Sequence, residues 1–160
     1  MGRDVWRHRC QKDANRGNSR NNIVVMKQED KDLLLRDLCA RLPYGVQCNY
    51  SGEIPLLGEV ANNVGELRGI SVGDIYPFKI HGKWWGFGDI KPYLRPMSSM
   101  TEEERNEYEN FITNEKDDQL RFCNELVFYN RHHFDYRGLI PMGLGIDCTG
   151  LNVYENEKSM

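Results

Sequence analysis

The residue types best suited to chemistry gather in the run His132-His133-Phe134-Asp135-Tyr136-Arg137. An imidazole oriented by a carboxylate is a general base, and a nearby guanidinium holds an anionic group. Read that way, His132 or His133 takes a proton, Asp135 orients it, and Arg137 binds the substrate. Cys148 could be brought close as a nucleophile, giving a small hydrolase or transferase. A structural alternative competes. At a helix end, His and Arg satisfy the last carbonyls, and Asp135 pairs with Arg137 or caps a turn. That alternative is the stronger expectation, because the cluster lies where a helical pattern stops.

A second set is Lys79, Lys83, Trp84, Trp85, Lys91 and Arg95, basic and aromatic within an otherwise acidic body. Stacking aromatics with cations among them suit a nucleic-acid surface. The alternative is that one Trp anchors the core and its neighbour seals an edge. No metal site is expected. The histidines are adjacent, without the spacing zinc sites use, and Cys10, Cys39, Cys48, Cys123 and Cys148 contain no CxxC pair. Cys39 and Cys123 fall on apolar helix faces and are expected to be small core residues. No nucleotide, metalloprotease or hydrolase motif is present, and no cofactor is expected.

These residues need elements to position them. Leu35, Leu38, Cys39 and Leu42 recur at helical spacing, predicting a helix from Gln28 to Leu42, stopped by Pro43. From Val46 to Ile90 the pattern changes to short segments: Val46 to Tyr50, Leu56-Leu57, Leu67 to Val72, Ile75 to Ile80 and Trp84 to Phe87. Glycines and a Ser51-Gly52 turn separate them, predicting an antiparallel meander, curled or not into a partial barrel. Pro55 and Pro77 belong at strand ends, edges or bulges. Pro92 and Pro96 predict an extended crossing segment. Thr101-Glu102-Glu103-Glu104 is a capping box opening a second helix. A third, from about Asp118 to His133, has a wide apolar surface that predicts burial, and Leu139 to Cys148 suggests a closing strand.

The predicted class is therefore α+β: a Gly-punctuated antiparallel meander or small partial barrel packed with about three helices. The chain's 160 residues carry a net charge of −3, distributed unevenly. Residues 1–25 hold six Arg/Lys against two Asp, and the rest is net −7. An acidic body attracts phosphate backbones poorly, so nucleic-acid binding would need a local patch. Residues 1–25 read as a disordered basic arm or a mis-annotated extension ahead of Met26. A single domain is expected over 26–155, with a disordered tail at 156–160. Five scattered cysteines suit reduced thiols, and Ile23-Val24-Val25-Met26 is too short to span a membrane, so a cytoplasmic protein is expected.

Met26 to Asp30, Asp37 to Val46, Ile90 to Glu104 and His132 to Ile140 together resemble an uncharacterised family of short proteins from gut Bacteroidales and their phages or mobile elements. The resemblance covers most of 26–155 and implies a bacterial or phage cytosolic origin. It brings no activity, cofactor or site residue. The leading functional expectation is a non-enzymatic binding or adaptor module acting on another protein, from the absence of a catalytic signature and the acidic surface around Glu102 to Glu109. The alternatives are the nucleic-acid module and the His132/His133/Asp135 enzyme.

Overall fold

Helix α1 (Gln28–Arg41) begins with Glu29 and Asp30 in its first turn and ends with Arg41 in its last, each sign matched to the helix dipole. It passes into a 3₁₀ turn at Leu42–Tyr44, where Pro43 prevents α-helical continuation, and Gly45 closes it at φ 68°. The computed structural model describes residues 25–50 and 63–154. All but residue 25 of the expected arm at 1–25, the Ser51-Gly52 turn, Pro55, Leu56-Leu57 and the 156–160 tail lie outside the described residues.

The face that α1 buries is Leu34, Asp37, Leu38 and Arg41, one residue round from the expected stripe. Cys39 is exposed, contrary to its expected core role. The reason is the ion pair. Asp37 and Arg41 are both fully buried and hold each other at 2.7 Å. A reading that counts only apolar residues as core turns the helix the wrong way.

Two sheets follow, making the class α+β. The first has order β2-β1-β6-β7, with β1 Gln47–Asn49, β2 Val64–Glu66, β6 Lys91–Leu94 and β7 Ile146–Asp147. β1 pairs antiparallel with β2 and β6, while β6 and β7 run parallel. The crossing segment at Pro92 is thus an interior strand, with Pro92 opposite Cys48. Of the expected closing strand only Ile146–Asp147 forms. The preceding residues turn back, with Gly143 N–H donating to Ile140 and Leu144 N–H to Leu139.

The second sheet is the later part of the expected meander, β3 Gly69–Ile70, β4 Phe78–Ile80 and β5 Lys83–Trp85, whereas the Val46 to Tyr50 segment expected to open that meander lies in the first sheet as β1. His81 and Gly82 join β4 to β5 at φ 51° and 76°, the two positive values a type I′ hairpin turn requires. The sheets meet at Gly65, where a Cβ would come within 2.3 Å of Ile80 Cγ2, so no side chain fits. Among the described residues no closed barrel forms. Leu34, Leu38, Val46, Cys48, Leu67, Phe78, Ile80, Ile90 and Leu94 make the core between α1 and the sheets.

Helix α2 (Glu102–Thr113) opens with the full capping box, Thr101 Oγ1 accepting from Glu104 N–H and Glu104 accepting from Thr101 N–H. Helix α3 (Asp118–Arg131) is capped by Asp117, which accepts from Gln119 and Leu120. Its expected burial is not found. Only Phe128 and Asn130 are buried, while Leu120, Phe122 and Cys123 are exposed. The ring contacts that join α3 to the segment after it come from Phe128, Tyr129 and His132, leaving its first two turns outside the core. Among the described residues, no helix is long and apolar enough to cross a membrane.

Candidate functional site

The polar cluster begins where α3 ends. His133 N–H donates to Asn130 and Phe134 N–H to Tyr129, and His133 sits at φ 61°. These bonds form a Schellman motif, in which a left-handed residue lets the chain reverse while satisfying orphan carbonyls. Glycine usually takes this position; here it is a histidine. The apolar contact that accompanies the motif is present as Phe134 against Tyr129, with ring centroids 6.5 Å apart.

The reversed chain then docks beside the first sheet. Arg95 N–H donates to His133, and Asp135 N–H donates back to Arg95, both at 2.8 Å. The Asp135 carboxylate accepts from the amides of Leu139 and Ile140 at 2.8 and 2.9 Å, capping the next turn. Its polar partners are backbone amides, and His133 is not among them. Arg41 holds Asp37 through two bonds and donates a third, at 2.6 Å, to the Phe134 carbonyl. Arg137 lies 3.5 Å from Asp37 and donates to the Tyr136 hydroxyl.

The two imidazoles part company. His132 packs on Phe128, with its ring nitrogens 3.6 and 3.5 Å from Glu104 and Glu107. His133 is only 4% exposed and stacks on Tyr154 at 3.8 Å, with 10° between the ring planes. Burial, and then the positive charge of Arg41, push its pKa down to about 3. Tyr154 completes the arrangement: its hydroxyl donates to the Tyr93 carbonyl and accepts from Gln47 N–H, tying the segment after β7 to β6 and β1. Burial pushes the Cys148 thiol up to about 11, which keeps it protonated. The arrangement holds chain segments together. Both ring nitrogens of His133 lack a hydrogen-bond partner among the described residues.

The basic aromatic set also separates. Lys79 and Trp84 are cross-strand neighbours, with the ammonium 5.7 Å from the indole centroid, and Trp84 is 46% exposed. Gly69 opposite Lys79 leaves room for the Trp84 ring to lie across it. Trp85 turns to the other face, packs on Tyr50 and donates to the Ile80 carbonyl. Lys83 is exposed at the hairpin, and Lys91 lies on β6 opposite Asn49. Arg95 is committed elsewhere. It grips Glu104 with two bonds of 2.7 and 2.8 Å while lying over Phe134. Those bonds hold the Glu104 carboxyl down at about 2.

Sequence reasoning pointed to the acidic Glu102 to Glu109 side of α2 but missed the groove between α2 and α3. Glu125 accepts hydrogen bonds from Tyr108 and Tyr129, locking the two helices. Beyond this lock lies an open groove of about 580 Å³ lined by Glu107, Asn110, Phe111, Asn114, Glu115 and Asn124. Leu120 and Phe122 stand exposed on the same hairpin. The available signal was the Asn110/Asn114 spacing of one helical turn, easily passed over as a fading helix end. A second groove, about 390 Å³, lies where the sheets meet, lined in part by Glu66, Arg68 and His81. Among the described residues no group of three or more His, Cys, Asp or Glu could hold a metal ion.

No family model, curated protein or solved structure matches this chain.

Proposed function

We propose that this protein is a small, non-enzymatic binding module that acts on another protein in the cytoplasm, with the α2/α3 hairpin as its contact surface. The observation that carries the reading is the exposure of Leu120 and Phe122, 53% and 60%, on a hairpin whose inner contacts are already satisfied. Large apolar side chains left in water on a rigid element suit a partner's surface. The commitment of His133 to Tyr154 and of Asp135 to backbone amides supports the same reading over catalysis. The resemblance to short proteins of gut Bacteroidales and their phages supports a cytosolic setting.

The test is affinity capture from native lysate by the full chain, with and without nuclease, beside a Leu120→Ser/Phe122→Ser variant. A partner retained through nuclease and lost with the variant is expected. Capture indifferent to the variant would overturn the hairpin assignment. A second reading, nucleic-acid binding, is favoured by the exposed Lys79–Trp84 pair. It requires retention that nuclease abolishes and binding that weakens steeply with salt.

A further inference from the structure

We propose that the groove between α2 and α3 binds an extended, basic segment of the partner protein, reading its main chain through Asn110, Asn114 and Asn124. The inference rests on the hairpin being the contact surface and adds the chemistry of what it takes.

Each carboxamide offers a donor and an acceptor, the same pair that a peptide unit presents. The three side chains make no hydrogen bond to other described residues. Asn110 lies on α2 and Asn114 is its C-cap, still in αR conformation, so the two are one turn apart with Cβ atoms about 5–6 Å apart by helix geometry. An extended chain repeats its same-side groups about every 6.6 Å. The two spacings are close enough for successive carboxamides to pair with alternate residues of an extended peptide. A helical segment has its amides satisfied internally and could not use them.

Charge selects the side chains. Residues 102–131 hold nine acidic and four basic residues, and Glu107 and Glu115 border the groove. Two of the bases are engaged, Arg131 with Glu107 and Arg121 with Asp118. Arg131 also lies 5.9 Å over the Phe111 ring, so the chain itself seats a cation between that ring and a carboxylate. A basic peptide would extend this arrangement toward Glu115, and an acidic one would be repelled.

The test is fluorescence anisotropy with the full chain and three labelled probes. These are a short peptide alternating Arg and Val, its Glu–Val counterpart, and the Arg–Val peptide with alternate amides N-methylated. The Arg–Val probe is expected to bind and the Glu–Val probe not. N-methylation, or an Asn110→Ala/Asn114→Ala variant with unchanged thermal unfolding, is expected to weaken binding about tenfold, as two lost hydrogen bonds would. Equal binding of the Arg and Glu probes overturns the inference. So does indifference to N-methylation or to the Asn variant. If no probe binds while capture dependent on Leu120 and Phe122 persists, this inference falls and the hairpin reading stands; loss of both removes both.

Discussion

Replacing His133 by Asn should flatten the protein's response to mild acid. His133 is buried against Tyr154 with its pKa lowered from 6.5 to about 3. An unfolded chain therefore binds a proton that the folded one refuses across that interval. The sign follows: stability is fully present above 6.5 and is lost as pH falls toward 3, by up to about 1.4 kcal/mol per pH unit. Between 6.5 and 4.5 the loss comes to roughly 2 kcal/mol once incomplete titration at the upper end is allowed for. Glu104, held down at about 2 from 4.5, adds its own loss mainly below 4.5 and only about 0.4 kcal/mol above it, so most of the change in the upper window belongs to His133 among these shifted groups. Asn suits the replacement because it accepts the left-handed conformation at position 133 and does not titrate. Urea unfolding followed by tryptophan fluorescence across that window gives the slope. The variant loses the Tyr154 stack and with it some stability at neutral pH, but its stability should change little on acidification. An unchanged slope would refute the account of His133 as a buried neutral imidazole.

Other substitutions examine the rest of the frame. Arg41→Met leaves Asp37 buried without its main partner and should cost about 3–5 kcal/mol in urea unfolding, with Asp37→Leu added to it restoring part of the loss. Thr101→Ala removes one half of the capping box and should cost about 1 kcal/mol by the same measurement. Phe128→Ala should cost about 3–5 kcal/mol, while Phe122→Ser stays within about 0.5 kcal/mol of the parent, because one ring is buried and the other is in water.

Local rules carried the helix starts and the meander. Thr101 and Glu104 form the box their spacing predicts, and β3–β4–β5 follow the glycine punctuation. Orientation was less legible. Apolar periodicity on α1 pointed to Leu35 and Cys39, whereas the core admits Asp37 and Arg41 because a distant carbonyl, that of Phe134, needs a donor. On α3 the periodicity overcounted, since an apolar side chain is buried only where another element covers it, and Leu120 and Phe122 have none. Pairing between distant segments was also hidden. Nothing in Pro92 or Ile146 announces that β6 is interior or that β7 runs parallel to it.

The density of charge in the His132–Arg137 tract follows from the architectural problem solved there. A helix that ends against a sheet frees carbonyls and amides where water has little access, and each needs a partner. Arg41 reaches from α1 to the Phe134 carbonyl, Asp135 takes two amides of the following turn, and Arg95 exchanges backbone bonds on both sides. Asp37 then balances Arg41 and draws Arg137 toward it. Residue types suited to catalysis are equally suited to this task, since both require strong, directed hydrogen bonds in a partly dry place. What separates the two uses is where the free valences point. Here those of Arg41, Arg95 and Asp135 point at backbone and at carboxylates, while the ring nitrogens of buried His133 have no hydrogen-bond partner among the described residues, which makes the imidazole a packing group stacked on Tyr154.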